Sequence, residues 1–401
     1  IMLTAGIFFL LFFSSLSVTV RIKEYFFFYL ILETSLLGIF VSLNCFLFYF
    51  FWGLTLIPAY CMIGIWGSEN RESAALNYFI NFALGSILIL IGFIALYFSA
   101  EPKTLTISSL IEHGPSISML RGTVVFWLLT IGFLMCIPAV PFHFWMTPTQ
   151  VSAITPVSVI LAALYMKAGL YGMFRIVFPL LPVQARQFAP IILIIGIVNV
   201  LYGVFVTFAH KDVKRMVTYS SLIHVGLCLI GLGSLSMNGF IGSAAHLFIH
   251  GLVIALLLIL VNILHQRTNT YALSQLGGLA SVMPTLTGFM AVAVCSVIGL
   301  PGFASFMSQF MIFLGVYEHN PMIAMISVGV LIILAGIFIR MLERIFLGKS
   351  HSGLQHVRDL TRSEIMISLP LIVLLIFLGW YPVPVFDMLT DSMTVMLGII
   401  K

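Results

Sequence analysis

The residue whose position most invites chemistry is Lys167, in the run Ala162-Ala163-Leu164-Tyr165-Met166-Lys167-Ala168-Gly169. Read as a helix over 156–178, the stretch places it roughly 17 Å from either end. A lysine stem reaches only about 6 Å, so the ammonium cannot snorkel to water. A charge there costs at least about 2.5–3.5 kcal/mol on insertion scales. Such a lysine is either paired or partly neutral. It exchanges protons, or it caps the carbonyls of a broken neighbour. Glu33 is the one carboxylate well inside an apolar run. It reads as a proton site, as a partner for a cation, or as a protonated, hydrogen-bonded group.

His224, His246 and His250 fall inside adjacent runs, with His246 and His250 at i, i+4 on one helix face. Two imidazoles at that spacing can bind zinc, but no third ligand and no HExxH accompany them, so no metal is expected. Imidazoles inside a membrane suit a proton relay and are equally common as satisfied core groups. His143 lies in Pro141-Phe142-His143-Phe144-Trp145. Asp212-Val213-Lys214-Arg215 opens a run and reads as an interfacial charge cluster that fixes topology. Phosphate loop, dinucleotide fingerprint, haem ligands and cluster ligands are all missing, so any redox chemistry belongs to another chain.

The elements that must position these residues follow from composition. Of 401 residues 61% are hydrophobic and 8% charged, about a third of the charge a soluble domain carries. The apolar runs are continuous and near twenty residues, which means membrane-spanning helices rather than barrel strands. Soluble enzymes, nucleic-acid binders and disulfide scaffolds are excluded. The five cysteines lie in apolar runs without CxxC spacing. No signal peptide is visible, and a start on Ile1 suggests that the natural first residues are missing.

Spans are expected at about 2–20, 25–44, 45–66, 76–99, 122–152, 156–178, 188–209, 214–234, 240–266, 283–319, 323–347 and 365–399. Pro138, Pro141 and Pro148 break the fifth, and Pro301-Gly302 breaks the tenth. The last, interrupted by Pro382 and Pro384, reads as one bent crossing. Lysines and arginines divide twelve to five between the two sides, with Lys167 inside a span. The larger group is Arg21, Lys23, Arg71, Lys211, Lys214, Arg215, Arg267, Arg340, Arg344, Lys349, Arg358 and Arg362. The smaller is Lys103, Arg121, Arg175, Arg186 and Lys401. The richer side is cytoplasmic, or its matrix equivalent.

Pro138 and Pro301 are 163 residues apart, as are the spans opening at 25 and 188. This predicts a single transmembrane domain holding two five-helix repeats, about 25–178 and 188–347, with terminal helices 2–20 and 365–399. Five is odd, so the second repeat is inverted, an architecture of ion-translocating proteins.

These pieces together resemble the proton-pumping, antiporter-like membrane subunits of NADH:quinone oxidoreductase (complex I), most like the chain M type, the counterpart of mitochondrial subunit 4. The resemblance runs over essentially the whole chain. It rests on Phe50-Phe51-Trp52-Gly53-Leu54-Thr55-Leu56-Ile57-Pro58, on Ile137 to Trp145, on Ser158 to Lys167 and Tyr171-Gly172, on Asp212 to Ser221 with His224, on His250-Gly251-Leu252, and on Gly299-Leu300-Pro301-Gly302. It implies an all-helical subunit in which each repeat builds a proton half-channel. Partners would be other membrane-arm subunits and lipids, not nucleic acid. NADH, flavin, iron–sulfur clusters and quinone are expected in partner subunits, with no cofactor on this chain. The location would be a bacterial or mitochondrial inner membrane.

Lys167 matches the family's lysine in its eighth helix. Three further charged positions are lost, since Gly53, Cys136 and Gln309 stand where glutamate, lysine and glutamate are expected. Family members also usually have two more helices at the start. The resemblance therefore leaves two roles open. In one, Lys167, His224, His250 and Glu33 form a rerouted proton path. In the other the chain is a structural spacer, and a subunit of a multisubunit cation/proton antiporter or membrane-bound hydrogenase stands as a further alternative.

Overall fold

The computed structural model describes residues 1–68, 70–101, 103–113, 118–348, 354 and 356–400. Among them there is no strand, and sixteen helices account for the architecture. They are α1 Met2–Ser15, α2 Ile22–Val41, α3 Cys45–Trp66, α4 Arg71–Ser99, α5 Ile107–His113, α6 Met119–Cys136, α7 Met146–Ser152, α8 Thr155–Leu180 and α9 Pro182–Ala209. The series continues with α10 Val213–Gly233, α11 Met237–Thr268, α12 Pro284–Val297, α13 Ala304–Tyr317, α14 Pro321–Phe346, α15 Arg362–Trp380 and α16 Val383–Ile400. Eleven are long and apolar enough to cross a membrane.

Local chemistry sets the boundaries. Asn44, Asp212 and Ser236 cap α3, α10 and α11 through side-chain oxygens that accept main-chain N–H groups, satisfying donors that a helix start leaves open. Thr361 and Glu364 make a reciprocal capping box on α15. Prolines 182, 284 and 321 open α9, α12 and α14, where the missing N–H costs nothing.

Hydrogen bonds between loops define the two ends of the bundle. At one end Trp66 Nε1 donates to Val20 O, Ser68 N to Ser152 O, Val213 N to Tyr271 O and Gly278 N to Leu347 O. Arg267 joins Glu364 there at 2.8 Å. At the other end Cys45 N donates to Leu105 O, Ile107 N to Leu43 O, and Asn238 Nδ2 to Glu318 Oε1. The chain therefore passes between the ends twelve times from α1 to α15, counting α6 with α7 and α12 with α13 as one passage each. Arg21, Arg71, Lys211, Lys214, Arg215 and Arg267 gather at the first end. Lys349 and Lys401 of the expected division lie outside the described residues.

The stretch from α2 to α8 and the stretch from α9 to α14 have the same order: three helices, a broken helix, one more helix. They run in opposite senses, since α2 starts at the cation-rich end and α9 at the other. Both breaks fall where prolines predicted. Between α6 and α7 the chain leaves helical form at 137–141, passing Pro138 and Pro141, and resumes through a 3-10 turn, Phe142–Trp145. Between α12 and α13 it turns at 298–303, with Gly299 at φ 73° and Gly302 at φ 92°, values that favour glycine. Pro148 breaks nothing, because it sits in the first turn of α7, where proline is tolerated.

The end of the chain departs from expectation. Residues 365–399 are two helices, α15 and α16, separated at Tyr381-Pro382. Helix α16 packs at the far end against α11, α9 and the last turn of α8, with Thr394 Oγ1 3.9 Å from Met237 Sδ at the start of α11. It buries Met393, Met396, Leu397 and Ile400 and leaves Asp387 and Asp391 exposed. Two carboxylates on one exposed face favour a helix lying along the end of the bundle over a straight continuation of α15.

The centre is α8, α10 and α11. Their apolar stretches are 94%, 94% and 89% buried, against 50% or less for the other crossing helices. Glycines allow close approach, as at Gly196 and Gly226, where a Cβ on either would sit 2.7–2.8 Å from the other's carbonyl.

Candidate functional site

Lys167 lies in the most buried layer and is itself 5% exposed. Two π-helical turns, Leu161–Tyr165 and Met173–Val177, flank it on α8. The first leaves the carbonyl of Ala162 within reach, and Lys167 Nζ donates to it at 2.7 Å. The second partner of Nζ is His250 Nδ1 on α11, at 3.0 Å. No carboxylate makes a hydrogen bond or ion pair to this lysine among the described residues.

The three histidines form one cluster. The rings of His224 and His250 stack with centroids 4.3 Å apart. His224 Nδ1 is 3.1 Å from His246 Nε2, and His246 Nδ1 is 2.9 Å from Ser308 Oγ on α13. Ser308 in turn donates to Ser305 O at 3.0 Å.

That last bond assigns the rest. With its hydrogen committed to a carbonyl, Ser308 Oγ accepts from His246 Nδ1–H. His246 Nε2 then accepts from His224 Nδ1–H, and His224 Nε2 is left as an acceptor. On the other side Lys167 donates to His250 Nδ1, so His250 Nε2 carries a hydrogen. Both Nε2 atoms are buried and have no protein partner. One is a donor and the other an acceptor on stacked rings, which is the complement that a bridging water satisfies. The result is a line of groups from Lys167 through His250, His224 and His246 to Ser308.

A cavity of about 1220 Å³ opens at the cation-rich end, lined among others by Ser17, Ser68, Thr147, Lys214, Asn262 and Tyr271. Among the described residues no carboxylate lines it. Lys214 is not an exposed interfacial charge. It is 2% exposed and donates to Val151 O at 3.1 Å and Ala153 O at 3.3 Å, the carbonyls at the end of α7. From Lys214, Thr218, Ser221 and His224 follow on one face of α10. The hydroxyls of Thr218 and Ser221 and both amide atoms of Gln150 are buried without protein partners, so polar groups continue from the cavity to the histidines. His143, at the first break, bonds Tyr202 through Nε2 at 3.0 Å and lines the same cavity.

The structure thus joins Lys167, His224 and His250 and leaves Glu33 out. Glu33 is half-buried on α2 and makes no hydrogen bond to the cluster. Cys136 is fully buried at the end of α6. Gly53 faces open space, with nothing within 4 Å of where a Cβ would be. Gln309 is 3% exposed and donates from Nε2 to Val297 O at 3.4 Å, satisfying a carbonyl that the second break frees. The first break is patched likewise: Asn81 and Trp145 donate to Met135 O, and Asn199 Oδ1 accepts from Val140 N. Sequence reasoning had set His246 beside His250 but did not place it in the path, and it missed Ser308. Nothing in the local pattern marks that serine, because its role comes from α13 folding back against α11. Among the described residues no group of histidines, cysteines or acids could hold a metal.

The family described as NADH:quinone oxidoreductase/Mrp antiporter, transmembrane, matches residues 42–335. The chain belongs to this family. Among curated members of the NADH:quinone oxidoreductase/Mrp antiporter family, it is 35% identical over 363 residues to NADH-quinone oxidoreductase subunit M of Rickettsia typhi, covering 90% of this chain and 73% of that one. The subunit M of Escherichia coli strain K12 is 34% identical, over 88% of this chain and 71% of its own. A chain of respiratory complex I from Thermus thermophilus with bound NADH superposes with a TM-score of 0.93 at 26% identity, covering 100% of this chain and 84% of its own. The fold, a multi-pass helical membrane protein, is that of the family.

Proposed function

We propose that this chain is a membrane-arm subunit of a complex I-type NADH:quinone oxidoreductase and carries protons between the cation-rich cavity and the bundle centre. The observation that carries the reading is the 3.0 Å contact between Lys167 Nζ and His250 Nδ1 in a carboxylate-free, buried layer. Curated relatives from Rickettsia typhi and Escherichia coli are named for that enzyme. Its flavin, iron–sulfur clusters and quinone site belong, on this reading, to partner subunits.

Each nitrogen in the line can both give and take a proton. A proton leaving Lys167 to His250 Nδ1 displaces the hydrogen on His250 Nε2 across a bridging water to His224 Nε2. His224 passes its Nδ1 hydrogen to His246 Nε2, and the excess proton rests on His246 as an imidazolium whose Nδ1–H stays donated to Ser308 Oγ. Ser308 keeps its own hydrogen on Ser305 O and serves as an acceptor, and the proton leaves by the reverse transfer to His224, from which Ser221 and Thr218 lead toward the cavity. No redox change occurs on the chain. The chain's part in coupling is therefore positional: α8, α10, α11 and α13 hold five groups in register while the redox reaction proceeds elsewhere.

The test is the number of protons moved per NADH by the parent complex in proteoliposomes, wild type against Lys167→Met, with assembly checked on native gels. A lower ratio with intact assembly supports the reading. An unchanged ratio refutes it and leaves the chain as a spacer, the role that the neutral residues Gly53, Cys136 and Gln309 favour.

A further inference from the structure

Lys167 has two sides, and they differ in kind. Toward α10, α11 and α13 lie the histidines, Ser308, and the unpartnered hydroxyls of Thr218, Ser221 and Ser305. Toward α3, α4 and α6 lies a continuous block of aromatic rings, all at or below 2% exposure: Phe48, Trp52, Tyr78, Phe82, Phe133, Trp145 and Tyr165. Phe82 touches both Trp145 and Tyr165 at 4.7 Å between centroids, and Trp52 meets Phe133 at 5.5 Å. Edge-to-face packing of this density leaves no room for a file of water.

The hydroxyls inside the block do not form a chain: that of Tyr78 is buried without a hydrogen-bond partner, and the other pair ends on a carbonyl. Tyr165 bonds Thr55 Oγ1 at 2.6 Å, and Thr55 donates to Trp52 O at 2.6 Å. A main-chain carbonyl cannot pass a proton on. The block is also shut against α8. A Cβ on Gly169 would lie 2.7 Å from Ile137 Cγ2, and one on Gly172 would strike the Phe133 ring. Because only glycine fits at both positions, α8 cannot slip by one residue to turn Lys167 toward α6: the slip would drive the Ala168 methyl into Ile137.

We infer that Lys167 is a one-sided proton site: charge enters and leaves it only through His250, and the aromatic block insulates it from the first broken helix. The inference rests on the proton-carrying reading above. Its consequence is that a proton on Lys167 acts on the first half of the molecule only through its electric field, while the second half exchanges it.

Two native thiols report the difference. Cys228 lies one turn beyond His224 on α10, with Sγ 3.8 Å from Ser243 O. Cys136 lies behind the block. Both are at most 2% exposed, so a difference in exchange between them reads internal hydration rather than surface exposure. In the intact complex moved into D2O, the S–H stretching band of each is followed by infrared difference spectra against Cys228→Ser and Cys136→Ser. Cys228 is expected to exchange at least about tenfold faster than Cys136. Removing a ring by Trp52→Ala should bring Cys136 up toward the rate of Cys228, with Phe133→Leu as the milder opening if Trp52→Ala does not assemble. Equal rates in the wild type, or a Cys136 rate that neither opening changes, overturns the insulation. The proton-carrying reading fails separately, in the Lys167→Met pumping ratio, because thiol exchange does not depend on turnover.

Discussion

Alanine at Gly169 and Gly172 tests the seal between α8 and α6 directly. Carbon atoms rest comfortably about 3.5–4.0 Å apart, whereas the new methyl at 169 starts 2.7 Å from Ile137 Cγ2 and the one at 172 starts 2.5 Å from Phe133 Cζ. Phe133 cannot swing aside, being held by Trp52 and by Phe48, whose ring centroid is 6.0 Å away. The helices must then part by about 1 Å, and overpacking of this kind costs roughly 1–3 kcal/mol per site. Alanine returns about 0.8–1 kcal/mol of helix propensity, so each variant should lose up to about 2 kcal/mol net. Gly336→Ala on α14 is the control, since nothing lies within 4 Å of its Cβ position and only the propensity gain of up to about 1 kcal/mol applies. Unfolding in bicelles, titrated with SDS and followed by tryptophan fluorescence, should place Gly172→Ala below wild type and Gly336→Ala at or above it. If Gly172→Ala unfolds at the same SDS fraction as Gly336→Ala, α8 is not locked and the one-sided site loses its mechanical basis.

Other substitutions probe separate contacts. Ser308→Ala removes the hydroxyl that orients His246, and should lower protons moved per NADH while the complex still assembles on native gels; an unchanged ratio would take Ser308 out of the path. Asp359 caps α12 through main-chain N–H groups of Thr285 at 2.8 Å and Leu286 at 3.1 Å. Burial raises its carboxyl, but the donors from Thr285, Leu360 and Leu286 outweigh that and hold it below the usual carboxylate value. With the folded value depressed, its stabilisation is full above the ordinary carboxylate range and is lost as pH falls through the folded value. Asp359→Asn should therefore flatten the acid limb of a melting-temperature profile, and an unaltered limb would count against the cap. Arg267→Gln breaks the pair with Glu364, whose side chains are 21% and 17% exposed, and should cost on the order of 1 kcal/mol in the same unfolding assay. Gly379→Ala should prevent docking of α15 on the second break, because the methyl would meet the Gly302 carbonyl; normal assembly of that variant would mean α15 is not seated there.

How much of this was legible beforehand depends on the range of the cause. Helix positions and both breaks follow from local facts: run length, proline, and the cost of unmet backbone groups in lipid. Lys167 was legible because its neighbours in sequence are apolar and its stem is short. The limits appear where partners come from afar. Lys214 looked interfacial beside Asp212 and Arg215, yet the end of α7 folds over it. Glu33 was a candidate beside Lys167 on the strength of its apolar neighbours in sequence, yet on α2 it is only half-buried and makes no hydrogen bond to the cluster. The turn at Tyr381-Pro382 was visible, but the direction α16 takes after it depends on the far ends of α8 and α11, which no local pattern encodes.

The packing around Cys136 also bears on history. The resemblance puts a lysine at that position, but the present site has closed on the smaller thiol: a Cβ on Gly85 would already lie 3.2 Å from Sγ, and rings fill the space ahead. A lysine returned there alone would need volume that Gly85, Gly132 and the aromatic block no longer leave, and would carry an unpaired buried charge. Reversal would take several coordinated changes, none useful singly. In this packing the neutral thiol and the rings support one another, so the scaffold is stable as it stands and has no one-step route to a buried lysine at position 136.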